Sequence, residues 1–310
     1  MIPGGGGGGN PASFLNPSID GNSVISNKVT STGTFVGNTT PGTSLLGIAG
    51  PFVNEGSIIA NGPTGGSFTV AVSDTKVAGT LERGYFINYN NIEVDAGNVM
   101  TITVGAGSEF FNVGEISVKG GSLRFSAAAG AIDGGYAGGS GAVVITGGGA
   151  FETNAGYSAT SVSSVPIYAF ADSHTGNTLK IDNIGSFGCA ILGFGENETI
   201  DLGTAIAVGK IAFNNTTGIL NLFGNGSITA SLLFGSGNFL NGTTTVAGGV
   251  AGSFSIGTGA DGNTVLTTNV RNNVFTNNSG SWQTAGLWPN GTPGTMDTAF
   301  IGIAAQTPSR

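Results

Sequence analysis

Cysteine, histidine and charge are nearly missing from this chain. Its single cysteine, Cys189, excludes an internal disulfide, and the apolar setting FGCAILGF marks it as a small buried hydrophobe. The single histidine, His174, excludes a multi-histidine metal site, and its polar context ADSHTGN reads as a surface loop rather than the centre of a Ser-His-Asp triad. Charged residues make up 8% of the chain and form no Lys/Arg run able to follow a phosphate backbone, so nucleic acid is not an expected partner. No apolar run approaches the roughly 20 residues of a membrane-spanning helix, so no insertion by this segment is expected. The nucleophile elbow, the phosphate-binding loop and the HExxH zinc helix are all missing too.

What fills the space is glycine. The 310 residues include 58 of them, and Gly, Asn, Ser and Thr separate short Val/Ile/Phe segments. Many brief strands joined by tight turns have this composition, which points to an all-β protein. Spacing sharpens the expectation within residues 91–125. Ile92 and Val94 stand 24 positions before Ile116 and Val118 and 24 after Phe68 and Val70, while Met100 and Ile102 recur 23 later as Leu123 and Phe125. Two ladders advancing together predict a parallel β-helix, a β-solenoid, with Phe68, Ile92 and Ile116 on one ladder. The pattern Asn-x-Gly-x-Ile occurs at Asn54 to Ile58 and again at Asn112 to Ile116. Asn and Gly tolerate left-handed backbone, so these positions are expected to be sharp corners.

Four segments follow. Residues 1–27 form a Gly/Pro/Asn-rich lead whose glycines Gly4, Gly5, Gly6, Gly7, Gly8 and Gly9 suggest a linker or an arm laid on a neighbouring copy. The start lacks the basic and apolar regions of a signal peptide, so the chain is expected to be a piece of a longer precursor. Residues 28–176 are expected to hold the β-helix coils. Within them, Asp133 to Gly139 offers the weak suggestion of a calcium loop, without the repeated GGxGxD spacing, and no other cofactor is expected. Residues 177–269 change register and read as a further β-rich module, either continuing the helix or following it, and residues 270–310 as the start of another repeat or a tail.

In that third segment, Gly193-Phe194-Gly195, Thr199 to Leu202, Leu220 to Leu222, Phe254 to Ile256 and Asp261 to Thr267 follow one another in an order that resembles the C-terminal β module of large repeat adhesins and autotransporter passengers of alphaproteobacteria, acetic acid bacteria among them. Trp282 and Trp288, followed by Pro293, Asp297, Ala299 and Ile301, are similar to the unit that opens a fresh β-helical repeat in the same proteins. The resemblance implies a secreted or surface-attached bacterial protein. We therefore expect a non-enzymatic structural or adhesive protein that associates with itself, in filaments or another homo-oligomer. A carbohydrate-binding adhesin attached to a polysaccharide matrix is the rival reading, with Trp282, Trp288, Tyr85, Tyr89 or Tyr136 as stacking platforms. A β-helical polysaccharide lyase or hydrolase is the third. Its acids, Asp74, Glu93, Asp95, Glu109 and Glu115, are scattered rather than paired.

Overall fold

The computed structural model describes residues 43–62, 65–77, 80–128, 141–154, 166–171, 176–206, 210–224, 226–234 and 253–270, together with the strands Ala12–Phe14, Ser18–Ile19, Asn22–Ser26, Val29–Ser31, Thr34–Gly37, Gly242–Thr244, Val250–Ala251, Asn272–Phe275 and Thr298–Ile301. Within these residues the protein is all-β and rich in parallel pairing. Among the described residues the 3-10 turn Ile184–Ser186 is the only helical element.

Three sheets organise the strands. The first takes Ala12–Phe14, Val29–Ser31, Pro51–Asn54, Tyr85–Asn88 and Glu109–Asn112, in that order. The second starts at Ser18–Ile19 and runs through Asn91–Asp95 to Ala190–Leu192, and the third from Asn22–Ser26 through Val99–Val104 to Thr199–Asp201. The chain visits first, second and third sheet in turn five times, then alternates between second and third. Every pairing along these runs is parallel, and none of the sheets closes on itself.

Strict alternation explains why such short strands hold. In Pro51–Asn54, Tyr85–Asn88, Asn91–Asp95 and Ala142–Thr146 every second residue is buried. The pleat sends these to one face, where a single core of Leu46, Ile58, Ile92, Ile116, Val143, Leu179 and Leu266, among others, continues from one end to the other. Phenylalanines recur at equal positions: Phe52, Phe86 and Phe110 stack edge to face with centroids 5.2 and 5.0 Å apart. Each fully buried ring is worth about 1.5–3 kcal/mol of transfer free energy. No strand carries enough alone; the stack does.

One ladder differs from the sequence reading. Phe68 pairs with Met100 and Val70 with Ile102, whereas Ile92 pairs with Ile58 and Val94 with Ala60. The cause is an antiparallel hairpin, Thr75–Val77 with Thr80–Glu82, inserted between third and first sheet. It stretches that repeat on the third sheet to 32 residues, Phe68 to Met100, so the 24-residue match of Phe68 to Ile92 compares strands of different sheets. The match of Ile92 to Ile116 and that of Met100 to Leu123 are true neighbours.

The expected corners stand where the chain passes from first to second sheet, at residues 55–56 and 113–114, but without left-handed backbone. Among the described residues Asn197 is the only non-glycine with positive φ. Left-handed glycines turn the chain between second and third sheet at Gly97, Gly120 and Gly147, with φ of 75, 72 and 66°, and between third and first at Gly107, with φ of 81°. Asn54 and Asn112 point inward instead, as does Asn88, and all three are buried.

Beyond Asp201 the pairing changes sense. Thr264–Thr268, Phe254–Thr258 and Val250–Ala251 extend the third sheet as an antiparallel meander, and Ser227–Phe234, Ile219–Gly224, Lys210–Asn214 and Gly242–Thr244 do the same for the second. Gly193, Phe194, Gly195, Thr199 to Leu202, Leu220 to Leu222 and Phe254 to Ile256 sit at this change. Phe194 lies among Phe170, Phe234 and Phe254. Further on, Asn272–Phe275 pairs in parallel with Thr298–Ile301.

Candidate functional site: the outer face of the first sheet

Alternation that buries Phe86 and Asn88 turns Tyr85 and Ile87 outward. By the same pleat Pro51, Val53, Glu109 and Phe111 face out on the flanking strands. Register stacks Pro51, Tyr85 and Glu109 in one row and Val53, Ile87 and Phe111 in the next. Only one of the six, Glu109, is charged. The Tyr85 ring leans on Phe111, with centroids 5.2 Å apart and planes at 53°. Tyr89 and Val113, exposed on the adjoining turns, and Leu81, exposed on the hairpin, border the patch. Arg83 reaches Glu109 at 4.0 Å on the rim.

The other two sheets face solvent differently. On the third, Arg124, Glu152 and Lys180 lie in register as an ion row, Glu152 standing 3.5 Å from Arg124 and 3.7 Å from Lys180. On the second, Lys119 Nζ donates to Glu93 at 2.8 Å. Burial works to raise Glu93's pKa, but hydrogen bonds from Lys119 and Asn91 outweigh it and hold the carboxyl below its ordinary range. Asp95 beside it is pushed up by burial and by Glu93. Tyr85 on the first sheet is raised by burial, then by Glu109 and Tyr89, so its phenol stays protonated and able to donate.

The scattered acids thus have structural partners. Asp74 Oδ1 accepts from Gly84 N–H and from Ser108 Oγ, both at 3.0 Å, and pins the base of the hairpin. Glu93 and Glu109 are ion-paired, and Ser117 Oγ bonds Glu115. Among the described residues no group of three or more His, Cys, Asp or Glu is arranged to hold a metal ion. Cys189 is buried, and burial pushes its thiol up to about 12, which removes the reactive thiolate.

Polar chemistry inside the protein is a ladder. Asn54 Nδ2 donates to Asn88 Oδ1 at 2.7 Å, Asn88 Nδ2 to Asn112 Oδ1 at 2.8 Å, and Asn112 Nδ2 to the Ala142 carbonyl at 3.3 Å. A second line passes from the Gly148 and Gly149 N–H groups through Asn177 to buried Glu198, which also accepts from Gly195 N–H at 2.6 Å. Both lines hold turns together and lie away from solvent.

Of the residues singled out in the sequence, Tyr85 and Tyr89 meet on the apolar face. Trp282, Trp288, Tyr136, His174, Asp133 and Gly4 to Gly9 lie outside the described residues. Glu109 stood among the scattered acids, whereas Pro51, Val53, Ile87 and Phe111 escaped the sequence reading, although PFVN, YFIN and EFFN repeat one signature. Comparison with protein-family models and with curated proteins finds no match for the chain.

Proposed function

We propose that the protein is a non-enzymatic β-solenoid of a bacterial cell surface, structural or adhesive in role, that associates end to end with further copies. The observation that carries this reading is the difference between the two ends of the strand stack. Ala12–Phe14, Ser18–Ile19 and Asn22–Ser26 are the outermost strands of all three sheets on one side, and no described strand pairs with their far edges. On the other side the second and third sheets finish in antiparallel meanders. Free strand edges recruit another chain, and a head-to-tail contact that does not close propagates as a filament. The surface location rests on the resemblance of residues 193–267 and 282–301 to autotransporter-like adhesins, and the glycine-rich lead is offered as the arm that crosses to the next copy.

Negative-stain microscopy of the purified protein at two concentrations tests the assembly. Filaments that lengthen with concentration, and that disappear on deletion of residues 1–16 while the far-UV β spectrum persists, are the expected result. Single particles of one size at both concentrations would overturn it.

A further inference from the structure

We propose that the outer face of the first sheet is a binding platform for neutral glycans, with Tyr85 and Phe111 as the stacking rings and Arg83 and Glu109 as the hydroxyl-binding pair. Parallel sheets are ordinarily covered on both faces. The third sheet answers this with its ion row and the second with the Lys119–Glu93 pair, although further along the second sheet Val144, Ala169 and Leu192 form an outward apolar row; the first sheet sets outward aromatic rings beside a charge pair, and a patch of this kind marks an interaction site. The patch is not purely apolar, and that decides its occupant. Two tilted rings 5.2 Å apart offer π-faces to the C–H side of a pyranose. Beside them, the guanidinium donates and the carboxylate accepts, which is what vicinal hydroxyls require, while an apolar protein surface would desolvate this ion pair without offering either charge a hydrogen bond.

Charge selects further. The platform carries one cation and one anion, so it is neutral, within a chain whose net charge is −8. That field repels an acidic polysaccharide and leaves an uncharged glycan as the fitting partner. The proposal rests on this face alone and stands apart from end-to-end association, which uses the strand edges.

Affinity electrophoresis of the full chain through gels containing soluble β-glucan, mannan or dextran, with polygalacturonate as the acidic control, tests it. Retardation by at least one neutral polysaccharide and none by polygalacturonate is expected. Tyr85→Thr combined with Phe111→Thr, residues that suit an outward strand position, should weaken retardation about tenfold or more. Arg83→Ala, at a side chain already exposed, should weaken it severalfold with the far-UV spectrum unchanged, which guards against a failure of folding in the ring variant. Trp282→Ala with Trp288→Ala should leave it unchanged. No retardation by any neutral polysaccharide, or a loss confined to the tryptophan variant, would overturn the proposal. So would a dimer by light scattering that Phe111→Glu dissociates, because a second copy would then own the face. Filament formation unaffected in the ring variant separates this site from the assembly reading.

Discussion

Asn88 sits where one amide joins three repeats of the chain. It accepts from Asn54, donates to Asn112, and its Nδ2 also lies 3.2 Å from the carbonyls of Asn90 and Glu115. Replacing it with alanine leaves buried Asn54 Nδ2 and Asn112 Oδ1 short of partners. Asn88→Ala should therefore cost about 2–3 kcal/mol in denaturant unfolding, more than a single exposed hydrogen bond. The Lys119 and Glu93 pair makes a smaller claim. Glu93's pKa is lowered, so its contribution is present above the ordinary carboxyl value of 4.5 and is lost as pH falls through the folded value. Lys119's pKa is raised, chiefly by the Glu93 hydrogen bond, so its share persists below the ordinary 10.5 and is lost as pH rises through the folded value. Lys119→Met should lower stability at neutral pH by at most about 1 kcal/mol, since Lys119 is about half exposed. The gap between variant and parent in thermal melts should shrink toward both acid and alkaline extremes.

Among elements, the hairpin Thr75–Val77 and Thr80–Glu82 is the clearest interruption. Without residues 75–82, four residues, Ser73, Asp74, Arg83 and Gly84, would join third to first sheet, the same number as Gly105 to Ser108 one repeat on. Asp74 would keep both its bonds to Gly84 and Ser108. Deletion of the hairpin should leave one cooperative melt within a few degrees of the parent. The hairpin also explains what the sequence made legible. Alternating strands announce themselves because most inward residues are Val, Ile, Leu or Phe, and repeat spacing is true wherever turns keep their length, as from Ile92 to Ile116. An insertion that is itself β-rich shifts the count without changing its texture, so Phe68 seemed to align with Ile92. The inward Asn ladder was hidden for another reason: asparagine two positions before glycine signals the corner, and only the sheet shows that its amide points inward. Its third member was masked because Asn90 stands where Gly56 and Gly114 stand in the other copies. Gly114 is fixed by that neighbour, since an added Cβ would lie 2.0 Å from the Asn90 carbonyl oxygen.

At the scale of the whole molecule, the account is a stack of short parallel strands in which every repeat supplies like residues to like places, closed on one side by antiparallel meanders. The apolar outer face and the free edges follow from that stacking, and both proposed activities depend on it. Paired cysteines read the register directly. Neighbouring strands lie about 4.8 Å apart, within the Cα separation a disulfide spans, and Cys189 is buried with its thiol pushed up to about 12, so it does not compete. Thr69 and Thr101 are register partners with side chains facing outward on adjacent strands of the third sheet. Mild oxidation of Thr69→Cys with Thr101→Cys should give an intramolecular disulfide in high yield by mass spectrometry, and Thr69→Cys with Glu93→Cys, 24 positions apart but on different sheets, should stay reduced. The reverse outcome, a bond between positions 69 and 93 and none between 69 and 101, would contradict the stack as described.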